Sequence, residues 1–225
     1  MLEIRGASPG LLDDPLLLDV GGAAPRAALA WRARLRDDDG FVWRATADTP
    51  QGLLDAWAPA KATAGAVAAL RSLRPVDVDV RVEDPDGASS SRTVTRTLLA
   101  DGVKVRRWRD GVAGSLFLPG HAAASALVLD AHDADGAAAV PPAAALLASR
   151  GVLVFVVTGG KGDPVAAARE LAAALPAAPA TIRERTAGNL PPAPGLPRRS
   201  DPPADPAAWD ALLAELGATP RRVAR

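Results

Sequence analysis

Apolar and polar residues alternate strictly over residues 76–83, where Val76, Val78, Val80 and Val82 interleave with Asp77, Asp79, Arg81 and Glu83. A period of two places each set on its own face, which predicts a strand with one buried and one wet side. The same rhythm recurs at 27–36, where Leu29, Trp31, Ala33 and Leu35 oppose Arg32, Arg34 and Arg36. It recurs again at 41–49 through Phe41, Trp43, Ala45 and Ala47. Residues 16–20, 93–100 and 103–108 read as further short strands. Asp37-Asp38-Asp39-Gly40, Asp84-Pro85-Asp86-Gly87 and Asp101-Gly102 lie between them as turn signals. Several short strands joined by polar turns predict a β-sandwich. The Ala-rich stretch 61–73 is predicted as a short helix crossing one end.

The pattern changes near Asp110. A strand is expected at 112–118, and 126–130 is short and wholly apolar, as a strand covered on both faces would be. Residues 143–149 read as a helix closed by Arg150-Gly151, and 152–157 is the most β-prone run of the chain. Asp163-Pro164 supplies a cap and a first-turn proline for a helix to about 175. A strand follows at 181–185, then a Pro-rich loop over 189–205. Asp205-Pro206 opens a last helix that Gly217 ends. Strand–helix alternation of this kind predicts βαβ units and a small, mostly parallel sheet. The expected organisation is therefore a β-sandwich domain over 1–110 and an α/β domain over 111–225.

Charge narrows the function classes. Twenty-six basic residues balance twenty-six acidic ones, so the net charge is zero. That argues against nucleic acid as a partner, because such affinity comes largely from neutralising phosphates, and against a polybasic membrane-surface protein. The apolar run that starts at Gly151 is too short to span a bilayer. With no basic leader before an apolar run, the expected location is the cytoplasm. There is no cysteine, which removes disulfides, thiolate metal ligands and a cysteine nucleophile. No resident cofactor is expected.

Particular residues carry a family resemblance. Leu11-Leu12-Asp13-Asp14-Pro15-Leu16, Gly40-x-x-Trp43, Ala47-Asp48, Gly52-x-x-Asp55 and Ala58-Pro59 are similar to the N-terminal domain of a known family, the acyl-CoA thioester hydrolases and bile acid-CoA:amino acid N-acyltransferases. Gly111-Val112-x-Gly114-Ser115-Leu116-Phe117-Leu118-Pro119 resembles the strand entering that family's α/β-hydrolase domain, and Leu146-Leu147-Ala148-Ser149-Arg150-Gly151 the end of its first helix. The resemblance implies an immunoglobulin-like sandwich joined to an α/β-hydrolase unit that acts on acyl thioesters.

The departures are as informative. The hydrolase domain of the family carries its nucleophile at a strand–turn–helix elbow. Residues 111–225 contain no Gly-x-Ser-x-Gly, so the α/β unit is expected to be truncated. Residues 154–158 followed by Gly159-Gly160-Lys161-Gly162-Asp163 resemble the loop that bears the family's acid, which maps onto Asp163. Thr186-Ala187-Gly188-Asn189-Leu190-Pro191-Pro192 resembles the loop that bears its catalytic His, and Asn189 stands in that place. An amide has no basic nitrogen and cannot accept a proton near neutral pH.

Each candidate has a plainer reading beside it. Asp163 is a surviving acid or simply the cap of the helix that follows. Gly159, Gly160 and Lys161 form either a phosphate contact, such as one to a CoA moiety at a helix N-terminus, or a strand-to-helix turn. The pattern is not Walker A. His132 follows the strand 126–130 at its carboxyl end, where open α/β sheets place ligands. It can pair with Ser115 or Ser125, or hold a divalent ion with Asp130, Asp133 and Asp135, or be a solvated loop residue. No metal site is assigned. The tryptophans read as core anchors.

Three function classes remain. The first is a catalytically degenerate thioesterase- or acyltransferase-like protein that binds an acyl thioester or a partner in acyl metabolism. The second is a working thioester hydrolase or acyltransferase with a rebuilt site using His132, Asp163 or Asn189, which requires a deep pocket between the loops 131–139, 159–163 and 186–197. The third is a protein-interaction module, in which a homodimer or a partner chain covers the edge of the truncated sheet.

Overall fold

The computed structural model describes residues 1–6, 10–24, 27–61, 67–123, 125–131, 140–174, 179, 181–198 and 205–221. Among them twelve strands and four helices form, giving a mixed, mostly β architecture. In chain order the elements are β1 (Glu3–Gly6), β2 (Leu18–Gly21), β3 (Ala30–Arg36), β4 (Val42–Ala47), α1 (Pro50–Leu53), β5 (Trp57–Pro59), β6 (Val76–Glu83) and β7 (Ser89–Arg96). Then come β8 (Lys104–Asp110), β9 (Val112–Leu118), β10 (Ser125–Asp130), α2 (Val140–Ser149), β11 (Val152–Gly160), α3 (Pro164–Ala173), β12 (Ile182–Thr186) and α4 (Pro206–Glu215). They separate into two compact units. The first is Met1–Thr97, Ala193–Pro206 and Arg221–Arg225, and the second is Leu98–Pro192 and Ala207–Pro220. Strand β8 thus falls in the second unit, and the segment from Ala193 returns to the first.

In the first unit the order β5-β4-β3-β6-β7 makes an antiparallel five-stranded sheet, and β1-β2 is a separate antiparallel pair. The valines of β6 are buried and its Asp77, Asp79 and Arg81 are exposed, as the alternation requires. Trp31, Leu35 and Trp43 join the valines in the core. Asp37, buried at the end of β3, is the polar centre of this core. Its carboxylate accepts from the Asp39 N–H (3.1 Å), the Phe41 N–H (2.8 Å), Trp43 Nε1 (3.0 Å) and the Ala69 N–H (3.2 Å). A buried polar side chain is tolerated when several donors satisfy it in this way.

The Ala-rich stretch corrects one expectation. Residues 67–73, the last part of the predicted helix 61–73, are not helical. Val67 bridges to Arg198, the Ala68 N–H donates to the Pro197 carbonyl, and the Ala69 carbonyl accepts from the Asp38 N–H. Alanine's helix propensity is worth tenths of a kcal/mol per residue, and these non-local backbone bonds override it.

In the second unit the order is β12-β10-β11-β9-β8. Strands β12, β10 and β11 are mutually parallel, whereas β9 runs antiparallel to both β11 and β8. Strand β10 and the first six residues of β11 are buried almost throughout, which explains their continuous apolar sequences. One face packs Val128, Leu153, Phe155 and Val157 against Ala168 and Ala172 of α3. Helix α2 contributes nothing to that cluster and packs on β11 and β9 from the other side. Among the described residues no helix is long and apolar enough to cross a membrane.

Candidate functional site

The parallel strands bring their carboxyl ends to one edge of the second sheet. Asp130, the last residue of β10, is flanked by Val157 of β11 on one side and Thr186 of β12 on the other. The loops that leave β11 and β12 therefore sit about two strand spacings apart, roughly 10 Å, with β10 between them. Chain connections also reverse direction here: β10 leads through α2 to β11, and β11 leads through α3 back past β10 to β12. Such a reversal at the carboxyl ends is where open α/β sheets form ligand crevices. The topology thus gathers the chemistry-bearing segments around Asp163 and Asn189. The chain leaves β10 at Ala131, and His132 lies outside the described residues.

Asp163 is the N-cap of α3. Its Oδ1 accepts from the Val165 N–H at 2.8 Å and the Ala166 N–H at 3.2 Å, and Pro164 fills the first turn. Capping employs the two donors that would otherwise be free to meet an anion at this helix end.

The glycine loop before it has its own structural reason. The amides of Lys161 and Gly162 both donate to the carbonyl of Gly111, at 3.2 and 3.1 Å. Gly160 has a φ of 115° and passes so close to the turn between β8 and β9 that a Cβ there would stand 2.6 Å from the Gly111 oxygen. No side chain fits that approach, so glycine is required at Gly160 by packing alone. Gly159 and Gly160 belong to the end of β11 and pair with Ala113 and Val112, after a bulge that follows Val157. The Lys161 side chain is exposed. Gly111, named in the sequence only as the start of the strand motif 111–119, has a role that sequence reasoning missed: its carbonyl organises the loop.

Asn189 is exposed and ends the short 3₁₀ turn Ala187–Asn189. It borders an open depression of about 610 Å³ with Arg183, Glu184, Arg185, Thr186 and Glu215. Both arginines are fastened to α4, Arg183 Nη1 lying 3.0 Å and Arg185 Nη2 2.6 Å from the two carboxylate oxygens of Glu215. Neither Asp163 nor Lys161 lines this depression.

A literal Gly-x-Ser-x-Gly does occur in the chain, at Gly6-Ala7-Ser8-Pro9-Gly10. Gly6 ends β1, Ala7 to Pro9 lie outside the described residues, and a turn, not a helix, follows at Leu12. A nucleophile elbow needs a strand–turn–helix setting, and the described residues 10–17 that follow contain no helix.

The outer strands of the sheet, β12 and β8, each pair on one side only among the described residues. On β8, Lys104, Arg106, Arg107 and Arg109 are exposed, a row of charge of the kind that discourages strand-to-strand association.

No protein-family model matches the chain, and no curated protein matches it.

Proposed function

We propose that this chain is a shortened, catalytically degenerate relative of the acyl-CoA thioester hydrolases and N-acyltransferases, which holds an acyl thioester without carrying out the classical reaction. One observation carries the reading. At the carboxyl edge of β11 the residue that the resemblance assigns as acid, Asp163, caps α3 through its Oδ1, and at the end of β12 an exposed amide stands in place of the base. Thioester hydrolysis through an acyl-enzyme needs a nucleophile and a neighbouring base held within hydrogen-bond reach. The chain has no cysteine, and its α/β part has no serine elbow.

Support for thioester binding comes from the residues of the resemblance and from the carboxyl edge of the second sheet, where α/β proteins hold ligands. The same reading takes the first unit as an immunoglobulin-like domain and the second as a truncated α/β-hydrolase-like domain. The antiparallel first sheet, and the second sheet with α2 and α3 on opposite faces, support it. The phosphate contact at Gly159, Gly160 and Lys161 is retained through the exposed lysine side chain rather than through the amides of Lys161 and Gly162, which Gly111 occupies.

The test pairs two measurements on the intact protein. One is thiol release from a series of acyl-CoA esters, which has no background from a cysteine-free protein. The other is calorimetric binding of a non-hydrolysable acyl-CoA thioether. Binding without turnover is expected. Turnover that falls in His132→Ala or Asp163→Ala would establish a working, rebuilt enzyme instead. Absence of both binding and turnover would remove thioesters from the account and leave the interaction-module reading, with a partner chain or second copy on the edge of the truncated sheet.

A further inference from the structure

The wet face of the five-stranded sheet in the first unit carries two rows of side chains that cross the strands. One row is Arg44, Arg34, Asp79 and Thr93; the next is Thr46, Arg32, Arg81 and Ser91. Each row contains two arginines directly opposite one another on neighbouring strands, Arg34 facing Arg44 and Arg32 facing Arg81. Like charges so placed destabilise a sheet. In the second row a shared counter-ion offsets the cost: Arg32 Nη1 and Arg81 Nη2 lie 3.2 and 3.6 Å from the same Glu83 oxygen. In the first row the one carboxylate is Asp79, across from Arg34 but not in contact with it. Among the described residues no carboxylate lies within 4.0 Å of either the Arg34 or the Arg44 guanidinium. Asp79, next to Arg34 across the strands, instead accepts from Thr93 Oγ1 at 2.9 Å. These side chains border a groove of about 580 Å³.

We propose that this groove is an oxyanion site for a phosphate monoester, gripped by Arg34 and Arg44 together. Directly opposed residues on neighbouring strands hold their Cβ atoms about 5 Å apart, so both guanidinium forks reach a single tetrahedral group. A carboxylate has two oxygens and is satisfied by one fork. A phosphate monoester offers three oxygens and about −1.5 to −2 charges, enough to accept from both forks at once. The hydroxyl of Thr46, beside Arg32 on the same face, adds a donor at the rim. The ligand brings negative charge into contact with both guanidinium groups, which Asp79, engaged with Thr93, does not, so binding relieves the repulsion between Arg34 and Arg44. The site is independent of the thioester reading, since it lies on the first unit and uses none of the residues of the α/β edge.

A small phosphorylated metabolite and a lipid headgroup present the same group, and the experiment separates them. Glycerol 3-phosphate, inorganic phosphate and acetate are titrated at low salt into the full chain and into Arg34→Gln, Arg44→Gln and Arg106→Gln, the last on β8 as a control cation. Sedimentation with vesicles containing phosphatidic acid forms a parallel arm. Saturable binding of glycerol 3-phosphate is expected, weakened about tenfold in either Arg34→Gln or Arg44→Gln, unchanged in Arg106→Gln, and stronger than acetate by about tenfold. Without ligand, Arg44→Gln should melt about 1 °C higher than the parent, because a like-charge pair is gone while Asp79 keeps Arg34 opposite it, and both Gln variants should lose the ligand-induced rise in Tm. That gain separates a lost site from a lost fold. Binding confined to the vesicles, and lost in Arg34→Gln, keeps the site and assigns it to a lipid. No saturable binding of any phosphate up to about 10 mM, or equal weakening in Arg106→Gln, overturns the proposal.

Discussion

The sheets of the two units solve the burial problem differently. In the first, β6 buries Val76, Val78, Val80 and Val82 and leaves Asp77, Asp79 and Arg81 in water, so a whole face remains for charged side chains. In the second, β10 and most of β11 are covered on both sides, and polar chemistry is confined to the edge where the parallel strands end. The lesson concerns where a ligand can be met. A one-sided sheet offers a broad face, here lined by arginines. A two-sided sheet offers only its loops, and in this chain the loop after β11 is engaged in a helix cap and in a turn clamped to Gly111.

The comparison breaks most visibly under single charged substitutions. Val80→Asp should unfold the first unit, whereas an exposed-face exchange one residue on, Arg81→Glu, should change stability by less than about 1 kcal/mol. On β10 both Leu127→Asp and Val128→Asp should be destructive, each by about 4 kcal/mol or more, because neither face meets water. Urea unfolding of the four variants is the measurement. A tolerated substitution at either Leu127 or Val128 would refute two-sided burial of the second sheet.

A smaller effect sharpens the role of the loop before α3. Asp163→Ala should cost about 1 kcal/mol, and Asp163→Asn or Asp163→Ser should recover most of it, since all three natural capping side chains accept from the first-turn amides. Thermal melts of the three variants decide between a cap and an acid. If Asp163→Asn recovers stability while losing some activity or ligand affinity, the carboxylate has a second task.

The smallest effect is electrostatic and belongs to the first unit. Burial pushes the Asp55 carboxyl up from its ordinary value, against the opposing pull of Arg221 and of a hydrogen bond from the Gly195 backbone. The folded state therefore holds this proton more tightly than the unfolded state. The contribution is most favourable below the ordinary carboxylate range, and it is lost as pH rises through the raised folded value. Asp55→Asn, which cannot ionise, should raise Tm at pH 7 by about 1–2 °C and give no gain below about pH 4. Melting curves across that interval test the sign. A variant less stable than the parent at pH 7 would mean that the Arg221 interaction outweighs the desolvation.

Legibility in the sequence followed from local physics. Strand β6 was readable to the residue because period-two alternation has no other use, and β9 because an apolar run is bounded by Asp110-Gly111 and Pro119-Gly120. The N-cap of α3 was readable because Asp-Pro at a strand exit has a local mechanism. By contrast, β7 begins at Ser89, in a polar Ser-Ser-Ser run with no strand pattern of its own. It is a strand because all eight residues of β6 pair with it. The stretch after Lys61 carried helix propensity, and backbone partners at Asp38 and Pro197 drew its described part into another conformation. The site divided the same way. Asp163 and Asn189 were found from motif likeness, and the capping role of Asp163 is local, but the engagement of the Lys161 and Gly162 amides by the distant Gly111 carbonyl is not.

The strands with one wet face, the capped helices, the charge balance and the absence of a thiol follow from neighbours along the chain or from simple composition. Which arginines face each other across strands, which loops share a sheet edge and which amides are already engaged are settled by the folded arrangement alone. Those depend on strand order and register, and a chain read residue by residue carries no record of the partner that will lie beside it.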